Sequence, residues 1–180
     1  MKPYPVIGLT GRARSGKDTV AAILIDTGLA RYQYGLADPI RAMLKAGLRI
    51  DMDAADWQQR KEEALAHLGV TPRRLMQTLG TEWGRNLVHE NVWIGEAQQT
   101  LAALGQGMVI SDVRFPNEAE WIRKIGGRII HVHRRDAPPV EAHSSEGGVS
   151  FTDNDRLLDN SGTLDELRTK VLALFGRGSP

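Results

Sequence analysis

The chain contains no cysteine. A disulfide framework and a thiolate metal site are therefore excluded, and a reducing cytoplasm is permitted. It also lacks an excess of either charge, since 23 basic residues face 22 acidic ones for a formal net of +1. That balance argues against a protein that coats a nucleic-acid polymer, although it leaves room for a local basic pocket. Long apolar runs are missing as well. The first, Val6-Ile7-Gly8-Leu9, is far too short for a signal h-region or a membrane span, and Arg12 and Arg14 follow it. There is no internal repeat and no low-complexity stretch. The expected setting is the cytoplasm, with no membrane partner. What remains is an ordinary composition, 41% hydrophobic and 25% charged over 180 residues. It suits one domain, or one domain with a small inserted lobe, and can build a core without staples.

Apolar periodicity and turn chemistry order the chain. Residues 4–10 read as a buried strand and 11–16 as a loop. Val20, Ile23 and Leu24 place a helix over 17–26, with Gly28 as its stop. Residues 31–36 form a second strand, and Asp38-Pro39 reads as an N-cap with proline at the first helical position of a helix to about 47. Asp53 is placed to cap a helix containing Trp57, and 61–68 reads as helix. Thr71-Pro72 opens another over 73–88, with Gly80 its weak point, and 91–104 is a further helix. Then come a strand at 108–113, a helix at 116–125 and a strand at 128–133. Residues 134–155, with Pro138-Pro139 and Gly147-Gly148, form a long loop of a kind that is usually functional or disordered. A short strand at 156–158 precedes Thr163-Leu-Asp-Glu166, a capping box opening a helix that ends near Phe175-Gly176. The alternation predicts an α/β fold with a parallel sheet covered on both faces. Ligands bind such sheets beyond the carboxyl ends of the strands, which fall at 10–11, 36–38, 111–114 and 159–162.

The first of those ends carries Gly11-Arg-Ala-Arg-Ser-Gly16-Lys17, which matches G-x-x-x-x-G-K between a strand and a helix. Glycines let the backbone curl so that successive N–H groups point inward, and the helix adds its dipole. Lys17 then reaches β- and γ-phosphate oxygens. Asp18 stands where Ser or Thr usually ligates Mg²⁺, with Thr19 next. Either holds the metal, or Asp18 is only a favourable acid in a first helical turn. Asp112 ends the third strand, placed to act on Mg²⁺ or its waters; an N-cap or an ion pair with Arg114 is the plain alternative. Arginines recur where phosphate would sit: Arg12, Arg14, Arg73, Arg74, Arg85, Arg114, Arg134 and Arg135. Their guanidinium forks match phosphate geometry. His131 and His133 share a strand face without a third metal ligand, and His143-Ser144-Ser145-Glu146 reads as a lid contact or a solvated stretch. Trp83 and Trp93 default to core packing, with base stacking the sharper alternative for one of them.

Four segments carry a family resemblance. They are Ile7-Gly-Leu-Thr-Gly-Arg-Ala-Arg-Ser-Gly-Lys-Asp-Thr-Val20, Arg74-Leu-Met-Gln-Thr-Leu-Gly-Thr-Glu-Trp-Gly-Arg85, Ile110-Ser-Asp-Val-Arg-Phe-Pro-Asn-Glu-Ala-Glu120 and Asp159-Asn-Ser-Gly-Thr-Leu-Asp-Glu-Leu167. Together they resemble the phage-type deoxynucleoside monophosphate kinases. The resemblance implies a single P-loop kinase domain with a five-stranded parallel sheet, a helical substrate-binding region at about 38–105 and a lid loop at about 134–155. It also implies transfer of the ATP γ-phosphoryl to a deoxynucleoside 5′-monophosphate with Mg²⁺, in a protein that works alone or as a homodimer.

On that resemblance Gly11, Arg12, Arg14, Ser15, Gly16 and Lys17 would hold the ATP phosphates, and Asp18, Thr19 and Asp112 the metal. Arg74, Arg85 and Arg114 would clamp the acceptor phosphate, and Arg134 or Arg135 would neutralise the transferring group. Gln77, Thr81 and Trp83 would read base and sugar, with Asp38 also among the substrate-binding residues. Asn160 and Gly162 would lie against the adenine. The acceptor phosphate is already anionic, so no general base is needed. A hydroxyl acceptor, as in a dephospho-coenzyme A kinase, would need one, and Asp38 is the residue available. A kinase acting on phosphomevalonate is a further alternative. A GTP-driven switch would show an N-K-x-D motif, which the sequence lacks.

Overall fold

A computed structural model of the chain describes residues 6–52, 54, 56–135 and 148–176. The expected strand start at Tyr4, the Asp53 cap, Pro138-Pro139, Gly147 and the stretch His143–Glu146 lie outside the described residues. In chain order the elements are β1 (Val6–Thr10), α1 (Lys17–Asp26), β2 (Tyr32–Tyr34), α2 (Asp38–Leu48), α3 (Trp57–Arg60) and α4 (Pro72–Gln77). A π-helical segment (Thr78–Val88) follows, then α5 (Val92–Leu104), β3 (Met108–Ile110), α6 (Pro116–Lys124), β4 (Arg128–His133), β5 (Arg156–Asp159) and α7 (Leu164–Leu174). The chain divides into two compact units, residues 1–35 with 98–180, and residues 36–97.

The first unit is built on a five-stranded parallel sheet of order β2-β3-β1-β4-β5. All five residues of β1 are buried, as a central parallel strand covered on both faces requires. The pleat sends Ile7 and Leu9 of β1 and Ile130 and Val132 of β4 to one side. There they pack with Val20, Ile23 and Leu24 of α1 and Leu167 and Val171 of α7. The opposite side takes Ile122 of α6, which approaches Gly8 together with Ile129 and Val113. The strand order reverses at β1, and the crevice at that switch point, beyond the carboxyl ends, is where such a sheet accepts a ligand.

The second unit is helical and depends on a few tight contacts. Thr71 caps α4 by accepting from the Arg74 N–H at 3.1 Å. The helix does not continue in α form through Gly80. It widens into the π-helical segment, and the Trp93 indole N–H donates to the freed Gly80 carbonyl at 2.8 Å. A side chain entering the backbone ladder is a recognised cause of such a change. Gly84 leaves room for the Trp93 ring, which a Cβ there would strike.

Three expectations are corrected. Ala37, not Asp38, is the N-cap of α2, so Asp38 and Pro39 are the first two helical residues; Asp38 pairs with Arg41 at 3.6 Å. Residues 61–68 are turns rather than helix. Leu65 bridges Val70, the Arg73 N–H donates to the Lys61 carbonyl at 3.0 Å, and the Arg73 side chain grips Glu62. These contacts outweigh the helix propensity of Glu62, Glu63, Ala64 and Leu65. The third strand stops at Ile110, and the Val113 N–H instead donates to the Leu9 carbonyl at 3.1 Å.

Candidate active site

The phosphate loop leaves β1 at Gly11 and enters α1 at Lys17. Gly11 has φ 140° and lies so close to the Val132 carbonyl that no Cβ would fit. Gly16 has φ 96° and would strike the Asn160 side-chain nitrogen if it carried a Cβ. Both positions demand glycine on conformation and space. Arg14, at φ 63°, sits in the left-handed region between them. No side chain caps α1 at Gly16, so its first N–H groups remain available to an anion.

The Lys17 ammonium folds back over the loop and donates to the Gly11 and Arg12 carbonyls at 2.9 and 2.8 Å. Ser15 Oγ is buried in the loop without a hydrogen-bond partner. A buried hydroxyl left unpaired costs free energy, and an anionic ligand at the loop would remove that cost. A cavity of about 290 Å³ opens beside it, lined by Thr10, Gly11, Arg12, Lys17, Arg114 and His131 among others. Among the described residues that line it none is acidic, which suits phosphate.

Arg114 is set from behind. One Glu118 oxygen, in a side chain that is almost wholly buried, accepts from the backbone N–H groups of Arg114 and Phe115 at 2.8 and 2.9 Å. This is the carboxylate half of a capping box at the start of α6, behind Pro116. The proline followed by an acid two residues on was the available sequence signal for it.

The remaining candidates fall elsewhere. Asp18 and Thr19 are exposed on the first turn of α1, and Asp112 is half-buried after β3; none lines the cavity. Asn160 lies behind the loop, with its side-chain amide donating to the Ser15 carbonyl at 2.8 Å and its N–H to the His133 carbonyl at 2.7 Å. Gly162 lies against the Glu166 carboxylate that completes the Thr163 capping box. Arg134 and Arg135 are exposed after β4, and the Arg135 N–H donates to Ser161 Oγ at 3.0 Å. Among the described residues no cluster of three or more His, Asp or Glu forms a metal site.

Of the acceptor candidates, Arg114 belongs to the sheet unit and the others to the helical unit. Arg74 pairs with Glu82 at 3.1 Å from an exposed position. Gln77, Thr81 and Arg85 are half-buried, and Trp83 is exposed over the buried Trp93, with ring centroids 6.4 Å apart. The two tryptophans thus divide the roles left open for them: Trp93 is core, and Trp83 offers a free ring face.

Sequence missed a buried cluster beside the cavity. Asp155 accepts from Arg123, Thr152 and His131. Burial alone would raise the Asp155 pKa. The hydrogen bonds from Arg123, Thr152 and His131 outweigh it and hold the carboxyl below its usual value. Nothing in the linear spacing of residues 123, 131 and 155 announces this contact.

Comparison with known proteins agrees with the geometry. Two solved structures share the fold at low identity. One is TT1252 from Thermus thermophilus, at 19% identity over 99% of this chain and 100% of that one, with a TM-score of 0.51. The other is a dephospho-CoA kinase from Campylobacter jejuni, at 15% identity over 96% of each chain and a TM-score of 0.50. A candidate deoxynucleotide monophosphate kinase of Acanthamoeba polyphaga mimivirus is 31% identical, with 97% of each chain covered. The deoxynucleoside-5′-monophosphate kinase of Escherichia phage T5 is 29% identical, covering 80% of this chain and 84% of its own. Residues 5–71 and 62–171 match the deoxynucleotide monophosphate kinase family. With that match spread over both units and the phosphate loop at the sheet's switch point, the chain belongs to the deoxynucleotide monophosphate kinase family.

Proposed function

We propose that the protein transfers the γ-phosphoryl group of ATP to a deoxynucleoside 5′-monophosphate and releases the diphosphate. The observation that carries this reading is the phosphate loop itself, with Lys17, Arg12 and Arg114 lining one cavity in a chain of this family. Lys17 and the loop N–H groups bind the donor phosphates, and the Ser15 hydroxyl supplies a further donor. Arg114, fixed through its N–H by Glu118, faces the transferring group. Phosphoryl transfer depends on such positioning and charge stabilisation more than on covalent chemistry. Mg²⁺, when bound with ATP, neutralises charge on the phosphates. Asp18, Thr19 and Asp112 are the oxygen donors suited to holding it or its waters.

The helical unit binds the acceptor. Arg74 and Arg85 take its 5′-phosphate, Gln77 and Thr81 its polar edges, and Trp83 stacks on the base. Asp38 belongs to this unit, where it pairs with Arg41. Arg134 or Arg135 neutralises the moving phosphoryl, and residues 160–162 back the donor side. The protein works in a cytoplasm, that of the host if it is phage-encoded, alone or as a homodimer, and needs neither a nucleic-acid polymer nor a membrane. No described helix is long and apolar enough to cross one. The test is a panel of ribo- and deoxynucleoside monophosphates with ATP and Mg²⁺, scored for diphosphate. Product from one or more deoxynucleoside monophosphates is expected. Turnover of dephospho-coenzyme A with none of them would overturn the reading.

A further inference from the structure

Among the described residues that line the cavity, Thr10 and His131 are polar and have no role in this reading, and His131 is the one that can carry charge. His131 stands on β4 in register with Thr10 of β1, and its ring lines the cavity beside Lys17 and Arg114. Its Nε2 is 3.1 Å from Oδ2 of Asp155. Asp155 is 1% exposed, takes Arg123 at 3.1 Å on Oδ1 and 2.6 Å on Oδ2, and accepts the Thr152 N–H at 3.0 Å. An ionised carboxylate only accepts hydrogen bonds, so Nε2 carries the proton. Phe151 packs on the imidazole with centroids 5.0 Å apart. The ring is thus held at one nitrogen and one face. Its other nitrogen, Nδ1, has no hydrogen-bond partner among the described residues, and it is not one of the buried unpaired atoms.

We propose that His131 is a phosphate-binding residue of this site, which takes up a proton at Nδ1 when the nucleotide phosphates arrive and donates it in a hydrogen bond to a phosphate oxygen. Among the described residues, the charged groups that line the cavity or bond to this cluster are Arg12, Lys17, Arg114, Arg123, Arg156 and Asp155, five cations to one carboxylate. Each phosphate monoester brings a charge of about −1.5 to −2 at neutral pH, and a triphosphate brings more. Their arrival reverses the balance around Nδ1 while Asp155 keeps Nε2–H in place. The proton comes from the buffer acid, whose bond to it breaks as the Nδ1–H bond forms, so binding consumes up to one proton per nucleotide and no other covalent bond changes. The inference rests on the cavity being the nucleotide-phosphate site.

The experiment is calorimetry with the β,γ-methylene analogue of ATP and Mg²⁺, in buffers of differing ionisation heat. The wild-type protein is expected to take up a fraction of a proton per analogue bound, largest between about pH 6 and 8. His131→Gln keeps an amide where Nε2 meets Asp155 and has nothing to titrate. It should lose that uptake and bind about tenfold more weakly, the factor that accompanies one unit of differential protonation. His131→Asn keeps a donor near the Nδ1 position and should recover part of the affinity without recovering the uptake. Magnetic resonance of the wild-type imidazole supplies a check independent of variant folding, since its signals should move to the protonated position when the analogue binds near pH 7.5. Equal proton uptake in wild type and His131→Gln, or imidazole signals that do not move, would overturn the proposal while leaving the site intact. Analogue binding that is absent, or that is unaffected by Lys17→Ala, would overturn the site assignment as well.

Discussion

On the proposed assignment of donor to the sheet unit and acceptor to the helical unit, the two units hold a nucleotide in opposite ways. In the sheet unit the candidate ligand surface joins a backbone loop to the Lys17, Arg114 and His131 side chains, and buried or half-buried side chains pin it from behind: Asn160 on the Ser15 carbonyl, Glu118 on the Arg114 N–H, Asp155 on His131. In the helical unit the candidate ligand groups are side chains on short helices. All of the largest fully buried side chains belong to the sheet unit, whereas Met43, Leu48, Leu68, Trp83, Leu87 and Val88 of the helical unit stay exposed. Phosphoryl transfer tolerates little misplacement of the donor phosphates. Recognition of an acceptor tolerates local motion, and binding regions are drawn from the less stable parts of a fold. The difference between the units is thus a difference in how much rigidity each half of the reaction demands.

The strongest way to break that contrast is to remove a pin. Asp155→Ala strands the Arg123 guanidinium and should cost about 3–5 kcal/mol of unfolding free energy, measured by urea titration. The sign with pH follows from the depressed carboxyl. Its contribution is fully present above the ordinary carboxylate pKa of about 3.9 and is lost as pH falls through the lower folded value. The wild type should therefore lose in acid a stability that Asp155→Ala never had, and parallel acid profiles would refute the assignment.

Lys17→Ala should lower kcat/KM for ATP by about 100-fold or more without changing the urea midpoint, because the ammonium's bonds to the Gly11 and Arg12 carbonyls are exposed. A smaller loss would mean that the loop amides carry the phosphates alone. Gly84→Ala probes the other unit. Its Cβ meets the buried Trp93 ring, and overpacking of this kind costs about 1–3 kcal/mol. Proteolysis should show the helical unit opening before the sheet unit, and simultaneous opening would erase the distinction between them. Arg74→Ala should raise the acceptor KM about tenfold and leave the ATP KM unchanged. A change in both would show that the units do not divide the two substrates.

The same contrast explains how much could be read from sequence. Every strand of the sheet was expected within a few residues, because buried parallel strands are apolar runs and Gly11, Gly16 and Lys17 have fixed spacing. The Thr163 capping box was legible for the same reason: its partners are three residues apart. The helical unit was read less well. The helix expected over 61–68 lost to Leu65–Val70 pairing and to Arg73, and the π-helical turn at Gly80 depends on Trp93, which approaches from another helix. At the site, the loop was visible and its pins were not. Asn160 meets Ser15 across 145 positions of sequence, and Asp155 meets Arg123 across 32. Local pattern reports local bonds, and the groups that stiffen this site are distant ones.

The folded-back Lys17 has a consequence for selectivity. Its ammonium already holds the Gly11 and Arg12 carbonyls, so the lysine's own donors are engaged before any ligand arrives. Any anion that enters must compete with two intramolecular hydrogen bonds, each worth about 0.5–1.5 kcal/mol in net terms. A lone orthophosphate offers few contacts in exchange. A triphosphate engages lysine, amides and arginines at once and repays the exchange several times over. The bent lysine thus acts as a threshold, one that small anions meet at a disadvantage and a nucleotide clears.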